Sequence, residues 1–267
     1  MAAAPVFLNH FFLTLDAPTF RAIRDSAWMQ REWAPFEQRT TRRNDTSYTG
    51  IYFYGRNTYF EFFQEGEAEG KPAGACGVAF GVEQPGAAKA LAKQFPVQRD
   101  ITRKTETVEP VWFASGEREG AGRTDFFRTW VMEYHADFLK TWYPDLAPAN
   151  ANSLRRRNVL DRYVAKIGQA PRRAEFLMKD ITAIDLELPP AEQRTFLALV
   201  ETLGYQVSGE VATGPEIRLA VRAAIKPAGI RAVSFSLQRS VTQESVQRFG
   251  SRSQLTVRSR GDAQWVF

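Results

Sequence analysis

Apolar and polar residues alternate along most of this 267-residue chain, a pattern typical of half-buried strands. Helical spacing interrupts the alternation at four places, and proline introduces three of these helices. Of these three, the first carries Phe20 and Ile23 on its apolar stripe, the second Ala87 and Leu91, and the third begins at Pro189-Pro190. Proline is favourable near the first helical position because its missing N–H would be unpaired there. The pattern predicts an α+β fold.

The order of these elements repeats. The segments LNHFFLTLDAP (8–18) and ACGVAFGVEQP (75–85) match as an apolar strand, an acidic residue and a helix-opening proline, and a third copy begins at Lys179. Each helix is followed by three strand-like segments, so the order β-α-β-β-β occurs three times. The predicted strands are Leu8–Asp16, Phe36–Thr41, Tyr48–Tyr54, Thr58–Gln64, Gly77–Glu83, Gln98–Val108, Val111–Ser115, Phe126–His135, Ile181–Leu188, Gln206–Ala212, Glu216–Ala223 and Gly229–Gln238. The final segment, Gln254–Phe267, also alternates.

This repeat predicts the domain organisation. Residues 1–143 hold the first two modules, residues 144–178 form a linker with one helix, and residues 179–267 form the third module. No apolar run approaches the roughly 20 residues that span a bilayer, and no basic, apolar leader precedes Val6. The single cysteine, Cys76, excludes an intramolecular disulfide and fits a reducing compartment. We therefore expect a cytoplasmic protein without a membrane partner.

Charge is distributed unevenly between the two parts of the chain. Residues 1–150 carry 17 Lys and Arg against 19 Asp and Glu, a net charge of −2, whereas residues 151–267 carry 18 against 11, a net charge of +7. The densest basic stretch runs from Arg155 to Arg173 and could contact a nucleic acid. However, Arg155, Arg162 and Lys166 interleave with apolar residues at helical spacing, which favours a solvated helix face over a nucleic-acid partner.

The candidate chemistry lies in a few charged residues inside strand-like segments. The chain has only two histidines, His10 and His135, and Glu61 interrupts the apolar run YFEFF. A charged side chain in a strand is costly to bury unless it is paired, hydrogen-bonded or bound to a metal. His10 could instead be a core histidine that donates to a backbone carbonyl, and Glu61 could pair with Arg56 or Arg128. We keep both alternatives.

The segments LNHFFLTLD and YFEFF, 51 positions apart from His10 to Glu61, resemble the first-strand histidine and fourth-strand glutamate of the vicinal oxygen chelate superfamily. This superfamily includes glyoxalase I, bleomycin resistance proteins and extradiol dioxygenases. The resemblance implies that the first two modules pair into a half-open barrel around a concave cavity. It also implies a divalent ion (Fe, Mn, Ni or Zn) held by His10, Glu61 and Glu133. The remaining ligand position falls on Gly77, which has no side chain to offer.

The fourth ligand position has two alternative explanations. His135 points to the same side of its strand as Glu133 and could supply the missing imidazole. Alternatively, Gly77 leaves a coordination position open for water or substrate. The aromatic residues Phe12, Tyr59 and Phe63 share strand faces with the predicted ligands and are candidate substrate contacts. The third module lacks comparable residues. Because modules of this superfamily work in pairs, we expect either a homodimer through residues 179–267 or closure of the third sheet by Gln254–Phe267.

Two functions follow from this resemblance. The first is a metal-dependent isomerase, lyase or dioxygenase that acts on a small oxygenated organic molecule, with Glu133 as the catalytic residue. The second is a metal-free protein that sequesters a small molecule in the same cavity. Retention of His10, Glu61 and Glu133 favours the enzyme, and Gly77 favours the binding protein.

Overall fold

The computed structural model describes residues 4–105, 107–118, 126–142, 155–225 and 229–267. The fold is α+β, with few helices and two eight-stranded sheets, the first of which curls into a half-barrel. In the described part of the chain no helix is both long enough and apolar enough to span a membrane.

The first sheet contains β1 to β8. Their bounds are β1 Phe7–Leu15, β2 Phe36–Arg42, β3 Ser47–Tyr54, β4 Tyr59–Gln64, β5 Cys76–Gly81, β6 Val97–Thr102, β7 Val111–Glu117 and β8 Phe127–Tyr134. The strands lie side by side in the order β2-β3-β4-β1-β5-β8-β7-β6. Strand β1 pairs with β4 in parallel, β5 pairs with β8 in parallel, and β1 and β5 meet antiparallel at the centre. The centre of the sheet therefore brings together strands that are far apart in the chain.

The second sheet contains β9 to β16. Their bounds are β9 Met178–Leu188, β10 Gln206–Ser208, β11 Val211–Gly214, β12 Ile217–Ala223, β13 Gly229–Leu237, β14 Ser245–Phe249, β15 Ser253–Val257 and β16 Asp262–Val266. Their order, β10-β11-β12-β9-β13-β16-β15-β14, has the same form as that of the first sheet. Strand β9 pairs with β12 in parallel and with β13 antiparallel.

The helices are short and lie between the strands. Their bounds are α1 Ala17–Arg24, α2 Glu67–Gly70, α3 Ala87–Ala90, α4 Ala136–Trp142, α5 Arg156–Lys166 and α6 Pro190–Thr202, with a π-helical turn at Met29–Trp33 and a 3₁₀ turn at Ala170–Glu175. The Asp16 side chain caps α1 by accepting a hydrogen bond from the Thr19 N–H at 2.9 Å. A side-chain acceptor of this kind satisfies one of the unpaired N–H groups at a helix start.

The main core lies where the two sheets face each other. Phe60 and Phe62 of β4 pack against Trp265 of β16, with ring centroids 5.9 and 5.2 Å apart, and Phe60 also contacts Phe235 of β13 at 5.7 Å. All four side chains are fully buried. The homodimer was expected because the sheet of the third module would expose an apolar face. In the structure this face packs against the first sheet of the same chain, and Gln254–Phe267 contributes two strands of the second sheet, β15 and β16.

Several predicted strand boundaries are wrong, and turn chemistry explains two of them. The predicted strand Gln206–Ala212 is a hairpin of β10 and β11, because Gly209 adopts a positive φ of 57° that turns the chain. Gln254–Phe267 is also a hairpin, turning at Gly261 with a φ of 91°. Strand β6 ends at Thr102, well before Val108, and β14 was not predicted.

The predicted solvated face of α5 is confirmed for Arg155 and Lys166, which are exposed, but not for Arg162. Arg156 and Arg162 are 4% and 5% exposed. The Arg156 guanidinium donates to the Leu8 carbonyl oxygen at 2.8 Å and contacts the Glu83 carboxylate at 3.1 Å. Burial of an arginine is tolerated when its donors are satisfied in this way. Arg156 therefore ties α5 to the first sheet, and its 2.8 Å contact with Glu216 also ties it to the second.

Candidate functional site

The concave face of the first sheet encloses a cavity of about 310 Å³, within the size range of small-molecule sites. Side chains from strands β1, β4 and β8 form its floor: His10, Phe12, Tyr59, Glu61, Phe63 and Trp130. All three predicted substrate contacts, Phe12, Tyr59 and Phe63, are therefore at this cavity.

Strand alternation and register explain why these side chains meet. Glu61 lies between Tyr59 and Phe63 on one face of β4, while the intervening Phe60 and Phe62 point into the core. Parallel pairing of β1 and β4 then sets His10 beside Tyr59 and Phe12 beside Glu61. A register shift in the β1–β5 pairing falls between Leu8 and His10. Leu8 lies in the core whereas His10 lines the cavity.

His10 is buried and neutral. Its ring stacks on Tyr59 with centroids 4.4 Å apart, and its Nδ1 lies 2.8 Å from Asn9 Oδ1. Because an amide oxygen only accepts, we assign the hydrogen to Nδ1, which leaves Nε2 with a free lone pair. Burial lowers the pKa of His10 to about 3, since the charged imidazolium would lose its hydration. The predicted alternative, a core histidine that donates to a backbone carbonyl, is not what the structure shows, because the partner of His10 Nδ1 is the Asn9 side chain.

Glu61 faces His10 across the floor. Its Oε1 lies 3.8 Å from His10 Nε2, and the residue is 7% exposed. Burial raises the pKa of Glu61 to about 7, although the charges of Arg39 and Arg43 and a hydrogen bond from Tyr59 act in the opposite direction. Because His10 is uncharged at neutral pH, the 3.8 Å contact is not an ion pair there.

The predicted salt bridges of Glu61 to Arg56 or Arg128 do not occur. Arg56 donates to Gln238 Oε1 at 3.0 Å, and Arg128 pairs with Glu69 at 2.7 Å. Both arginines therefore serve contacts away from the buried carboxylate.

Glu133 does not line the cavity, so its predicted place beside His10 and Glu61 is wrong. Its carboxylate accepts hydrogen bonds from the Gly86 N–H at 2.8 Å and the Ala88 N–H at 2.9 Å. Arg128, Thr129, Trp130 and Met132 of β8 line the cavity, whereas Val131 packs in the core on the second face of the strand. Glu133 lies on that second face and caps α3.

His135 lies outside the cavity as well. It follows the end of β8, its side chain is 45% exposed, and its Nδ1 accepts a hydrogen bond from the Asp137 N–H at 3.3 Å. The Asp137 carboxylate lies 3.6 Å from the same nitrogen. This arrangement places His135 at the start of α4 and not beside the other predicted ligands.

Gly77 has a packing role that the sequence did not reveal. A β-carbon at this position would collide with the ring of Phe12 and approach the ring of Trp130 to 2.9 Å. These two rings, with centroids 6.0 Å apart, fill the space in which a side chain of residue 77 would lie. The position is therefore closed by aromatic packing and is not an open coordination site.

The residues of the cavity do not fit the implied three- or four-ligand metal centre. His10 and Glu61 converge, whereas Gly77, Glu133 and His135 do not join them. Within the described residues, no group of three or more His, Cys, Asp or Glu side chains could hold a metal ion. Catalytic zinc sites generally use three protein ligands.

Trp130 and the charged rim were missed by sequence reasoning. Arg43 and Arg128 line the cavity, and each is paired with a carboxylate, Arg43 with Asp45 at 2.7 Å and Arg128 with Glu69. The alternation of arginine, tryptophan and methionine at positions 128, 130 and 132 could have indicated Trp130. The position of these pairs at the rim could not be predicted from the sequence. They lie on connections between strands or at strand ends, where strand alternation gives no side-chain direction.

Comparison with known proteins shows a related fold in one solved structure and assigns the chain to a family. The chain is similar to a crystal structure of a hypothetical protein from Staphylococcus aureus, with a TM-score of 0.50 and 6% identity, over 91% of this chain and 95% of that one. At this identity the likeness concerns the fold alone. No curated protein matches the chain. A family model matches residues 8–267, so the chain belongs to a family of unknown function, DUF5829.

Proposed function

We propose that this protein binds a small organic molecule in the concave cavity of its first sheet, as a metal-free binding protein of the vicinal oxygen chelate type. The observation that carries the proposal is the cavity itself: aromatic side chains surround one buried carboxylate and one neutral imidazole. Largely apolar pockets with a few convergent polar groups are the usual form of a small-molecule site.

The strand order supports the resemblance behind this proposal. In our interpretation, β1 to β4 with α1 form one βαβββ unit, and β5 to β8 with α3 form a second unit that pairs with it. The second sheet would repeat this plan with β9 to β12 and α6, followed by β13 to β16 without a helix. The third module predicted from the sequence would then be the first unit of a second pair of units.

The missing ligands favour binding over metal-dependent catalysis. The resemblance implies up to four metal ligands, from the first and fourth strands of both units, and here only the first unit places such residues in the cavity, as His10 and Glu61. We also propose a cytoplasmic location, because a chain with a single cysteine fits a reducing compartment.

Calorimetric titration with a panel of small aromatic compounds tests the binding proposal. We expect stoichiometric binding that is weakened at least about tenfold by Trp130→Ala, because the variant removes a ring face from the floor. Trp28→Ala is the matched control, since Trp28 is also partly buried but packs against Trp33, away from the cavity. Equal effects of the two variants, or the absence of any saturable binding, would refute the proposal.

The metal-dependent enzyme is the second candidate, favoured by the 3.8 Å distance between His10 Nε2 and Glu61 Oε1. Elemental analysis of protein purified without a His-tag decides between the two. One divalent ion per chain that is lost in both His10→Ala and Glu61→Ala would support the enzyme and contradict the metal-free proposal.

A further inference from the structure

Two hydrogen-bond acceptors, His10 Nε2 and Glu61 Oε1, face each other on the floor of the cavity. The hydrogen bond between His10 Nδ1 and Asn9 leaves the lone pair of Nε2 unused, and the Glu61 carboxylate lies 3.8 Å away. When Glu61 is ionised, neither group can donate to the other. A nitrogen donor at about 2.9 Å from both atoms spans this separation with ordinary hydrogen bonds. The geometry calls for a ligand group with at least two N–H bonds.

The Glu61 carboxylate also lacks a direct cationic partner. Among the described residues no Lys or Arg forms a salt bridge with it, and the two arginines whose charges reach it are engaged elsewhere. Arg39 pairs with Glu37 at 2.8 Å, and Arg43 pairs with Asp45. A buried carboxylate without a counter-ion is costly, so a cation brought by the ligand would be stabilised there.

Aromatic rings surround the same carboxylate. Tyr59 and Phe63 flank Glu61 on its own strand, and Phe12 is its partner in the neighbouring strand. The face of an aromatic ring attracts a cation, most strongly where water is excluded. Aromatic rings beside a buried carboxylate therefore favour the same kind of ligand group, a cation.

We propose that the His10–Glu61 end of the cavity binds the ammonium group of an organic amine whose flat apolar body lies on Phe12, Tyr59 and Trp130. This inference rests on the proposed function and names its ligand class. The rim of the cavity carries both signs of charge: Arg43 pairs with Asp45, Arg128 and Lys71 share Glu69, and Arg99, Arg118 and Glu117 also line it. Glu61 is the carboxylate that lies among the aromatic rings of the floor, so we place the ammonium group there.

Three isosteric probes test this inference: naphthylmethylamine, naphthylmethanol and naphthoate, each titrated calorimetrically into the full chain at pH 8. We expect the amine to bind at least about tenfold more tightly than the alcohol, and the carboxylate to bind most weakly, because only the amine supplies both charge and N–H donors. If the alcohol or the carboxylate binds as tightly as the amine, the ammonium assignment is wrong while the cavity remains a binding site. Absence of saturable binding by all three probes would overturn both proposals.

Two variants locate the binding group. Glu61→Gln removes the charge, and we expect it to reduce the preference for the amine over the alcohol to about threefold or less. His10→Phe keeps a ring but removes the Nε2 acceptor, so it should weaken binding of the amine more than binding of the alcohol. Glu201→Gln, which removes an exposed carboxylate on α6, is the matched control and should change neither affinity. An amine preference that survives Glu61→Gln would overturn the assignment, and so would Zn²⁺ or Mn²⁺ held stoichiometrically by His10 and Glu61.

Discussion

Replacing Glu61 with glutamine should stabilise the protein at alkaline pH and leave its stability nearly unchanged in mild acid. The Glu61 pKa is raised from an ordinary value of 4.5 to about 7 by burial, so the folded state holds this proton more tightly than the unfolded state. Stability from this group is therefore fully present below pH 4.5 and is lost as the pH rises through 7. Above that range the wild type must bury a charge, whereas glutamine buries none.

The expected magnitude follows from the two pKa values. Between pH 5 and pH 8 the wild type loses about 2.5 kcal/mol of unfolding free energy through Glu61. His10 acts in the opposite direction, because its pKa falls from 6.5 to about 3 on folding and its stability contribution is present above pH 6.5 and lost in acid. Over the same interval His10 adds about 2 kcal/mol, so the two effects nearly cancel in the wild type.

Urea denaturation at pH 5 and pH 8 measures this directly. Glu61→Gln should match the wild type within about 0.5 kcal/mol at pH 5 and exceed it by about 2 to 3 kcal/mol at pH 8. Glu201→Gln, on the exposed face of α6, should differ from the wild type by less than about 0.5 kcal/mol at both pH values. If Glu61→Gln destabilises the protein equally at both pH values, the carboxylate is not desolvated and the reasoning fails. A stabilising substitution at a cavity residue is typical of a site maintained for binding.

Three further substitutions test the corrected site. Gly77→Ala should cost about 1–3 kcal/mol and weaken ligand binding, because the new methyl group collides with Phe12 and Trp130; unchanged stability in chemical denaturation would contradict this packing. Glu133→Gln should lower stability by about 1–2 kcal/mol through loss of the charged cap of α3, with ligand affinity unchanged; an affinity loss seen by calorimetry would return Glu133 to the cavity. His135→Ala should alter the unfolding free energy by less than about 0.5 kcal/mol and leave affinity unaffected, since the side chain is 45% exposed; a weaker ligand would show that it reaches the site.

Much of the first sheet could be predicted from sequence alone. The segment LNHFFLTLD forms β1, and YFEFF lies within β4. Alternation also sets Glu61 on the same face as Tyr59 and Phe63 because side chains of a strand point to opposite faces in turn. The placement of His10 and Glu61 in one cavity followed from these local patterns together with the resemblance to a known fold.

The predictions for Glu133 and for the strand Gln206–Ala212 were wrong because both depended on packing between elements. Alternation groups Glu133 with Val131 and separates both from Trp130, but it does not say which group faces the cavity. That choice depends on α3, whose N–H groups bind the Glu133 carboxylate, and on the core that buries Val131. The turn at Gly209 was missed for a related reason, because a glycine within an alternating segment fits either a strand or a hairpin.

Local sequence patterns predict strands with few helices, and they single out one histidine and one glutamate in otherwise apolar strands. The packing of the folded chain was needed to show that His10 and Glu61 face each other without Glu133, and that the rings of Phe12 and Trp130 occupy the space at Gly77. Periodicity defines the direction of a side chain relative to its own strand and nothing beyond it. Its neighbours, its desolvation and therefore its chemistry depend on strand register and on the elements that cover each face of the sheet.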